Sequence, residues 1–340
     1  MRNFIFINNL HFLKYKYTLL IGIFFITAFG CGEKTRVYRV GILCGLDFFC
    51  NTVDGFKEKM NELGYVENKN IFYDLKNTKS DMKRAKEILQ HFVADKVDLI
   101  FVLPTDVSVA AKEVIHGTNI PVVFANANIE GQQLVKSIRE PGDNITGVRY
   151  PGPDLTVKRF EIMLQLVKKA KRMWVPYKRG IAIVPSQLEA LRPIADKAGV
   201  ILIETPANDV NEIESILYAK GHTKNSFTKI DAILMIAEPL VVTPNTFLVM
   251  AKYAIDHKIP IGGALMSIEG YNSIFGVSTD NISVGRQAAL LTDKIFKGIK
   301  AGSIPVISAE NYFQINYKAA KQFGIEVPAG LLKQANEVIR

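Results

Sequence analysis

The chain has 340 residues, of which 48% are hydrophobic and 22% charged. That composition excludes a wholly disordered or collagen-like chain and suits two lobes of about 130–150 residues each. The formal charge is +9, yet basic residues alternate with acids, as in Lys57-Glu58-Lys59, and no basic stretch interleaves with aromatics, which argues against a nucleic-acid partner.

At the N-terminus Lys14 and Lys16 precede an apolar run, Tyr17 to Phe29, that ends at Ala28-Phe29-Gly30-Cys31. A basic segment, a short apolar core and small residues at its exit predict a secretory signal over residues 1–30. The run falls short of the ~20 apolar residues that cross a bilayer comfortably. Cys31 directly after Gly30 is the expected lipid attachment point, so that the exported protein is held to a membrane by its anchor. Export also places Cys44 and Cys50 in an oxidising compartment, where a disulfide between them is permitted.

From Val37 onward strand and helix patterns alternate. Tyr38 to Cys44 reads as a buried strand; Asn51 or Thr52 starts a helix with Val53, Phe56, Met60 and Leu63 at helical spacing, closed by Gly64. Asn70 to Leu75 is a second strand, and Ser80 caps a helix with Met82, Ala85, Ile88, Leu89 and Phe92 on one face. Asp98 to Leu103 is a strand, Thr105 starts a helix, and Ile120 to Phe124 is the next strand. Asn144 to Val148 reads as an edge strand. Strands separated by 10–15-residue helices imply right-handed crossovers and a parallel sheet.

The second half repeats the plan, with strands expected at Gly180 to Val184, Val200 to Glu204 and Asp231 to Ile236 and a helix from Leu188 to Ala198. Asp98-Leu-Ile-Phe-Val-Leu followed by Ile120-Pro121 is echoed by Asp231-Ala-Ile-Leu-Met-Ile followed by Ile259-Pro260. The expected fold is therefore α/β, two Rossmann-like lobes with parallel sheets joined by three segments. Lobe 1 is assigned residues 36–148 plus 279–301, and lobe 2 residues 149–278 plus 302–340. The three crossings are expected near Tyr150-Pro151-Gly152-Pro153, Gly276-Val277-Ser278 and Ala301-Gly302. Trp174 is read as core or hinge packing ahead of the second lobe's first strand.

Catalytic signatures are absent: there is no glycine-rich dinucleotide turn, no phosphate loop, no nucleophile elbow and no zinc-protease helix. His91, His116, His222 and His257 are dispersed, so neither a metal nor another cofactor is expected, and the chain is read as a binding protein rather than an enzyme. Such a fold offers a cleft at the carboxyl ends of its strands, where helix N-termini present free N–H groups. The ligand-facing candidates are Leu46, Asp47, Thr105, Asp106, Asn126, Tyr150, Ser186, Glu238, Met266 and Asp280. Thr105 and Asp106 begin a helix and are read either as an anion hold or as a cap. Glu238 has the equivalent place in the other lobe and is read as a partner for a ligand ammonium group or as a loop acid. Asp280 is a polar cleft residue or a helix cap. Phe48, Phe49, Tyr150 and Tyr271 are candidates to stack on a flat ligand or to seal the lobe surface.

Several of these segments together resemble the ABC transporter substrate-binding proteins with the type I periplasmic binding fold. They are Val40-Gly41-Ile42-Leu43, Gly55-Phe56, Leu63-Gly64-Tyr65, Pro104-Thr105, Ile120 to Ala125 and, most specifically, Pro141-Gly142-Asp143-Asn144-Ile145-Thr146-Gly147-Val148, with Ile259-Pro260 and Val327-Pro328 later. The resemblance implies a monomer that captures a small-molecule ligand and delivers it to a permease driven by a separate ATPase. Its leading implied ligand class is aromatic amino acids, and the positions it carries over are Thr105, Asp106, Glu238, where an Asp is usual, and Asp280. Gly45 to Asn51 is shorter than the family loop, Ile129-Glu130 replaces the usual Asp-Pro, and Met173 to Tyr177 reads as an insertion. A sugar or nucleoside receptor, or a sensing partner of a membrane signalling protein, is the alternative reading. A sugar-responsive repressor of similar fold would open with a helix-turn-helix, where a secretory signal stands here.

Overall fold

The computed structural model describes residues 36–222 and 229–340; the expected signal and Cys31 lie outside the described residues. The first half forms a parallel sheet from β1 (Tyr38–Cys44), β2 (Ile71–Asn77), β3 (Leu99–Leu103), β4 (Val122–Ala127), β5 (Ile145–Arg149) and β13 (Ile307–Ser308). The strand order is β13-β5-β4-β3-β1-β2. Because side chains alternate along a strand, each central strand feeds two cores. Ile42, Phe101 and Val123 pack under helices α1 (Thr52–Glu62) and α8 (Asn281–Phe296). Leu43, Ile100, Val102 and Phe124 pack under α2 (Met82–Ala94) and α3 (Thr105–Val114).

The second half holds a four-stranded parallel sheet of order β7-β6-β8-β9, built from β6 (Arg172–Lys178), β7 (Ile201–Ala207), β8 (Ala232–Leu234) and β9 (Ile261–Gly262). One face is covered by α4 (Gly152–Leu166) and α5 (Val184–Lys197), through Phe160, Met163, Leu188 and Leu191. The other carries α6 (Val210–His222) and α7 (Pro244–Asp256), with Trp174, Ile213, Phe247 and Met250. The short strands β10 (Ser267–Ile268) and β11 (Tyr271–Asn272) form a hairpin. A three-stranded sheet joins β12 (Phe275–Thr279), β14 (Asn311–Asn316) and β15 (Glu337–Ile339), and the short helices α9 (Tyr317–Gln322) and α10 (Ala329–Gln334) lie between the last two strands.

The structure corrects the sequence reading at several places. Gly180 to Val184 is not a strand: Gly180 takes a positive φ and Val184 opens α5. The strand is Arg172–Lys178, the segment read as an insertion, and Trp174 lies inside it, fully buried. Pro176 disguises this strand, since proline cannot donate to a ladder. It is tolerated because β8 pairs only with Met173 and Trp174, leaving Pro176 with a neighbour on the β7 side alone. The cap of α2 is Asp81, which accepts from the Arg84 amide at 3.0 Å, while Ser80 sits in the turn before it with a positive φ. Asn144 to Val148 is not an edge, because Ile307 and Ser308 pair outside it.

That pairing also moves the third passage downstream of residue 302. The chain leaves the first sheet at Arg149, returns to its helices at Thr279–Asn281, and leaves again only after Ser308. Arg149 braces two of these places. It donates from Nε to Ser308 Oγ at 2.7 Å, from Nη1 to Glu130 and from Nη2 to Asp154 Oδ2 at 2.7 Å, and so links β5, β13 and the first turn of α4.

Candidate functional site

Parallel strands all point their carboxyl ends the same way, and the loops and helix starts beyond those ends form the site region of each half. In the first half the loop after β1 is pinned at both ends. Cys44 and Cys50 are bonded, S–S 2.03 Å and Cα–Cα 5.8 Å. Asp47 accepts from the Asn77 amide. The Asn281 side-chain amide donates to Phe48 O and to Asn51 Oδ1, each at 2.9 Å. Held this way, Phe48 projects its ring into solvent, 76% exposed, against the edge of Phe49. Leu46, at the start of the same loop, is also exposed.

Asn126 stands at the end of β4 in the left-handed region, φ 51°, and is buried. Its amide donates to Thr52 Oγ1 at 2.9 Å and to Asn281 Oδ1 at 3.2 Å, and its carbonyl accepts from Thr279 Oγ1 at 3.4 Å. Both amide hydrogens are therefore used inside the protein, and the residue ties β4 to the starts of α1 and α8. Asp280 caps α8, accepting from Ile282 N at 3.1 Å and Ser283 Oγ at 2.8 Å. Thr105 Oγ1 accepts from the Asn128 amide at 3.0 Å, and Asp106, next along α3, is exposed.

In the second half Glu238 follows β8 and is only 4% exposed. Its carboxylate accepts from the backbone N–H groups of Val241 at 2.8 Å, Leu240 at 3.0 Å and Lys178 at 3.2 Å. Burial pushes this carboxyl above the usual glutamate range, and the three backbone donors oppose that rise. Beside it, Gln187 of α5 accepts from Thr156 Oγ1 and from Ala237 N while donating to Ile183 O and Ala237 O. Ser186 Oγ turns back to Ile183 O at 3.4 Å. Met266 lies at the base of the hairpin, its N–H held by Ser273 Oγ at 2.8 Å.

Tyr150 is half-buried where β5 gives way to α4, and it packs against the core of the second half. Arg159 is buried and donates from Nε and Nη2 to Val277 O, at 2.9 and 2.6 Å, and from Nη1 to Met235 O at 3.1 Å.

The candidates thus fall into separate clusters. Asn126 meets Thr52, Thr279 and Asn281 beside Asp280, Asp47 joins the cystine loop, and Glu238 joins Lys178. No hydrogen bond or ion pair among the described residues connects Thr105 or Asp106 to Glu238. The sequence reading overlooked Arg159, Gln187, Asn281 and Arg149. The available signal was polar side chains at buried helical spacing, Thr156 and Arg159 on the face of α4 that also carries Phe160 and Met163. Among the described residues no group of three His, Cys, Asp or Glu could hold a metal ion. The groups present hold backbone segments and offer hydroxyls, amides and aromatic faces, the equipment of recognition.

Comparison with known proteins agrees. The family model described as "ABC transporter substrate binding protein" matches residues 43–339. A tyrosine-binding protein of Clostridioides difficile is 27% identical over 260 residues, spanning 75% of this chain and 71% of that protein. The crystal structure of a conserved domain protein from Vibrio cholerae superposes with a TM-score of 0.73 at 26% identity, covering 89% of this chain and 100% of that one. A Streptococcus domain solved in complex with L-Trp shares the fold, with a TM-score of 0.72, 23% identity and the same coverage. The match runs through both parallel sheets and all three passages between them, and the chain belongs to the ABC transporter substrate-binding proteins, a family of extracytoplasmic solute receptors that bind rather than transform their ligands.

Proposed function

We propose that this protein is the lipid-anchored receptor of an importer for an aromatic amino acid. The observation that carries the ligand class is the 27% identity, over three quarters of this chain, to a protein that binds tyrosine. The L-Trp complex of a domain with the same fold adds support. Cys31 is the lipidated residue, and the partner is a permease with its own ATPase.

The ligand lies between the two lobes. Leu46, Asp47, Thr105 and Asp106 face it from the first, with the Phe48 ring as a stacking surface; Tyr150, Ser186 and Met266 face it from the second. Asn126, Asp280 and Glu238 serve one step back, fixing the loops that carry these groups. Closure pivots on the three passages, and ligand favours the closed form to the extent that it binds that form better.

The test is thermal unfolding of the soluble form beginning after Cys31, stripped of bound ligand, against pools of amino acids, sugars and nucleosides. A ligand at a hundred times its dissociation constant adds about 2.7 kcal/mol of stability. Stabilisation by tyrosine or tryptophan supports the reading. Stabilisation by sugars alone replaces the ligand class while keeping the receptor.

A further inference from the structure

We propose that Arg149 is a positioning residue for ligand capture: through Asp154 it latches the first passage and narrows the angles that the second half takes before ligand arrives. This latch presupposes the two-lobed receptor reading above and adds to it the contact that governs closure.

The three passages are short. The first has Tyr150 and Pro151 between β5 and α4, the second has Asp280 between β12 and α8, and the third has Ala309 and Glu310 between β13 and β14. On the far side of the last two the chain is stiff, because β12 and β14 pair from Phe275↔Ile315 to Thr279↔Asn311. The first and third passages are also bonded together. The Ala309 amide donates to Arg149 O at 3.0 Å, and the Tyr150 amide donates to Ala127 O at 2.9 Å. Pro151 has its φ locked by its ring. A change of angle between the halves therefore falls on a handful of torsions at the strand ends.

Arg149 spans that point. Its side chain is only 13% exposed, and two arms of its fork are held by the first half, Nε on Ser308 Oγ and Nη1 on Glu130. The third, Nη2, reaches Asp154 Oδ2 at 2.7 Å, in the first turn of α4. Because the guanidinium is planar and rigid, two fixed arms set the direction of the third as well as its reach. Among the described residues this is the one ion pair between the halves. The seam beside it is close-packed: a β-carbon on Gly152 would stand 2.7 Å from Asn128 Oδ1, and one on Gly131 would stand 3.5 Å from Ala182 O. Asn128 is tied in turn to the start of α3, its amide donating to Thr105 Oγ1 at 3.0 Å. Asp154 is 63% exposed, so solvent screens the pair. It is strong enough to bias the angle and weak enough for ligand binding to overcome.

Electron–electron resonance distances between spin labels on the exposed ends of α2 and α5, at Lys83→Cys and Lys197→Cys, test this in the ligand-stripped soluble form. The expected result is a narrow distance distribution with Asp154 intact and a broader one with Asp154→Ala, at an unchanged thermal midpoint. L-tyrosine affinity should fall about two- to fivefold in Asp154→Ala, the loss that an exposed ion pair allows. Raised salt should move the wild-type distribution toward that of the variant. Arg149→Lys keeps the charge but loses the fork, and it should broaden the distribution too; Asp154→Ala alone decides the matter if Arg149→Lys fails to fold. A distribution that Asp154→Ala leaves unchanged overturns the proposal, and so does one that broadens while tyrosine affinity holds. The distances need no ligand, so a wild type that binds no tyrosine removes the amino-acid reading while the latch is still decided by the distribution.

Discussion

Gly55 faces the carbonyl of Ile282 so closely that a β-carbon on Gly55 would stand 2.1 Å from that oxygen. The contact is reciprocal, since a β-carbon on Gly285 would stand 1.9 Å from Thr52 O. Helices α1 and α8 therefore meet backbone to backbone at their first turns, and both starts lie at the site region, α1 after the cystine loop and α8 after the second passage. Gly55→Ala is expected to force the helices apart and cost about 1–3 kcal/mol, read from the urea midpoint. Unchanged stability would mean that the pair re-seats freely.

Asn126 is the polar counterpart of that contact. Asn126→Ala strips partners from Thr52 and Asn281 and leaves a side chain poorly suited to a positive φ. The expected loss is about 1–3 kcal/mol. Ligand affinity should fall as well, because Asn281 also steadies Phe48 and Asn51. Intact affinity in a destabilised variant would separate this network from the binding loop.

The alternation of apolar runs and capped helices made the first half legible almost strand by strand, since Tyr38–Cys44 and Leu99–Leu103 are buried on both faces and read as continuous apolar segments. The second half was harder. Arg172–Lys178 carries charges at both ends and a proline inside, and what makes it a strand is its β7 neighbour, which lies far away in sequence. The strand ends and helix starts were legible, but the hydrogen bonds that their side chains make were not. Glu238, an acid after a strand, is visible in sequence as a ligand partner or a loop acid, whereas the three amides that hold it are not. Arg159 was hidden because a charged residue in an amphipathic helix ordinarily faces water.

The Cys44–Cys50 bond closes a short loop at the tip of β1. Replacing both cysteines by serine is expected to lower stability by about 2 kcal/mol, as loop-closure entropy gives for so small a ring. Reductant should move the wild-type midpoint toward that of the variant. A midpoint indifferent to reductant would show that Asn77 and Asn281 hold the loop unaided.

Glu238 gives a pH signature. Its folded pKa is raised by burial, so the native state keeps a proton that the unfolded state releases between the ordinary glutamate value and the raised one. The contribution of this group is full below the unfolded value and declines as pH rises through the folded one. Glu238→Gln does not titrate. The stability of wild type minus that of the variant should therefore fall in urea unfolding as pH rises above the ordinary glutamate value of about 4.3. A difference that is flat or grows with pH would contradict the raised value.

Calorimetric titration of the ligand-stripped protein with L-tyrosine and L-tryptophan tests the receptor reading most directly. One site per chain, a dissociation constant of about 1 μM or tighter and a negative heat-capacity change are expected for a ligand enclosed between two lobes. Absence of heat with every aromatic amino acid, together with saturable heat from a sugar or nucleoside, would contradict the amino-acid assignment.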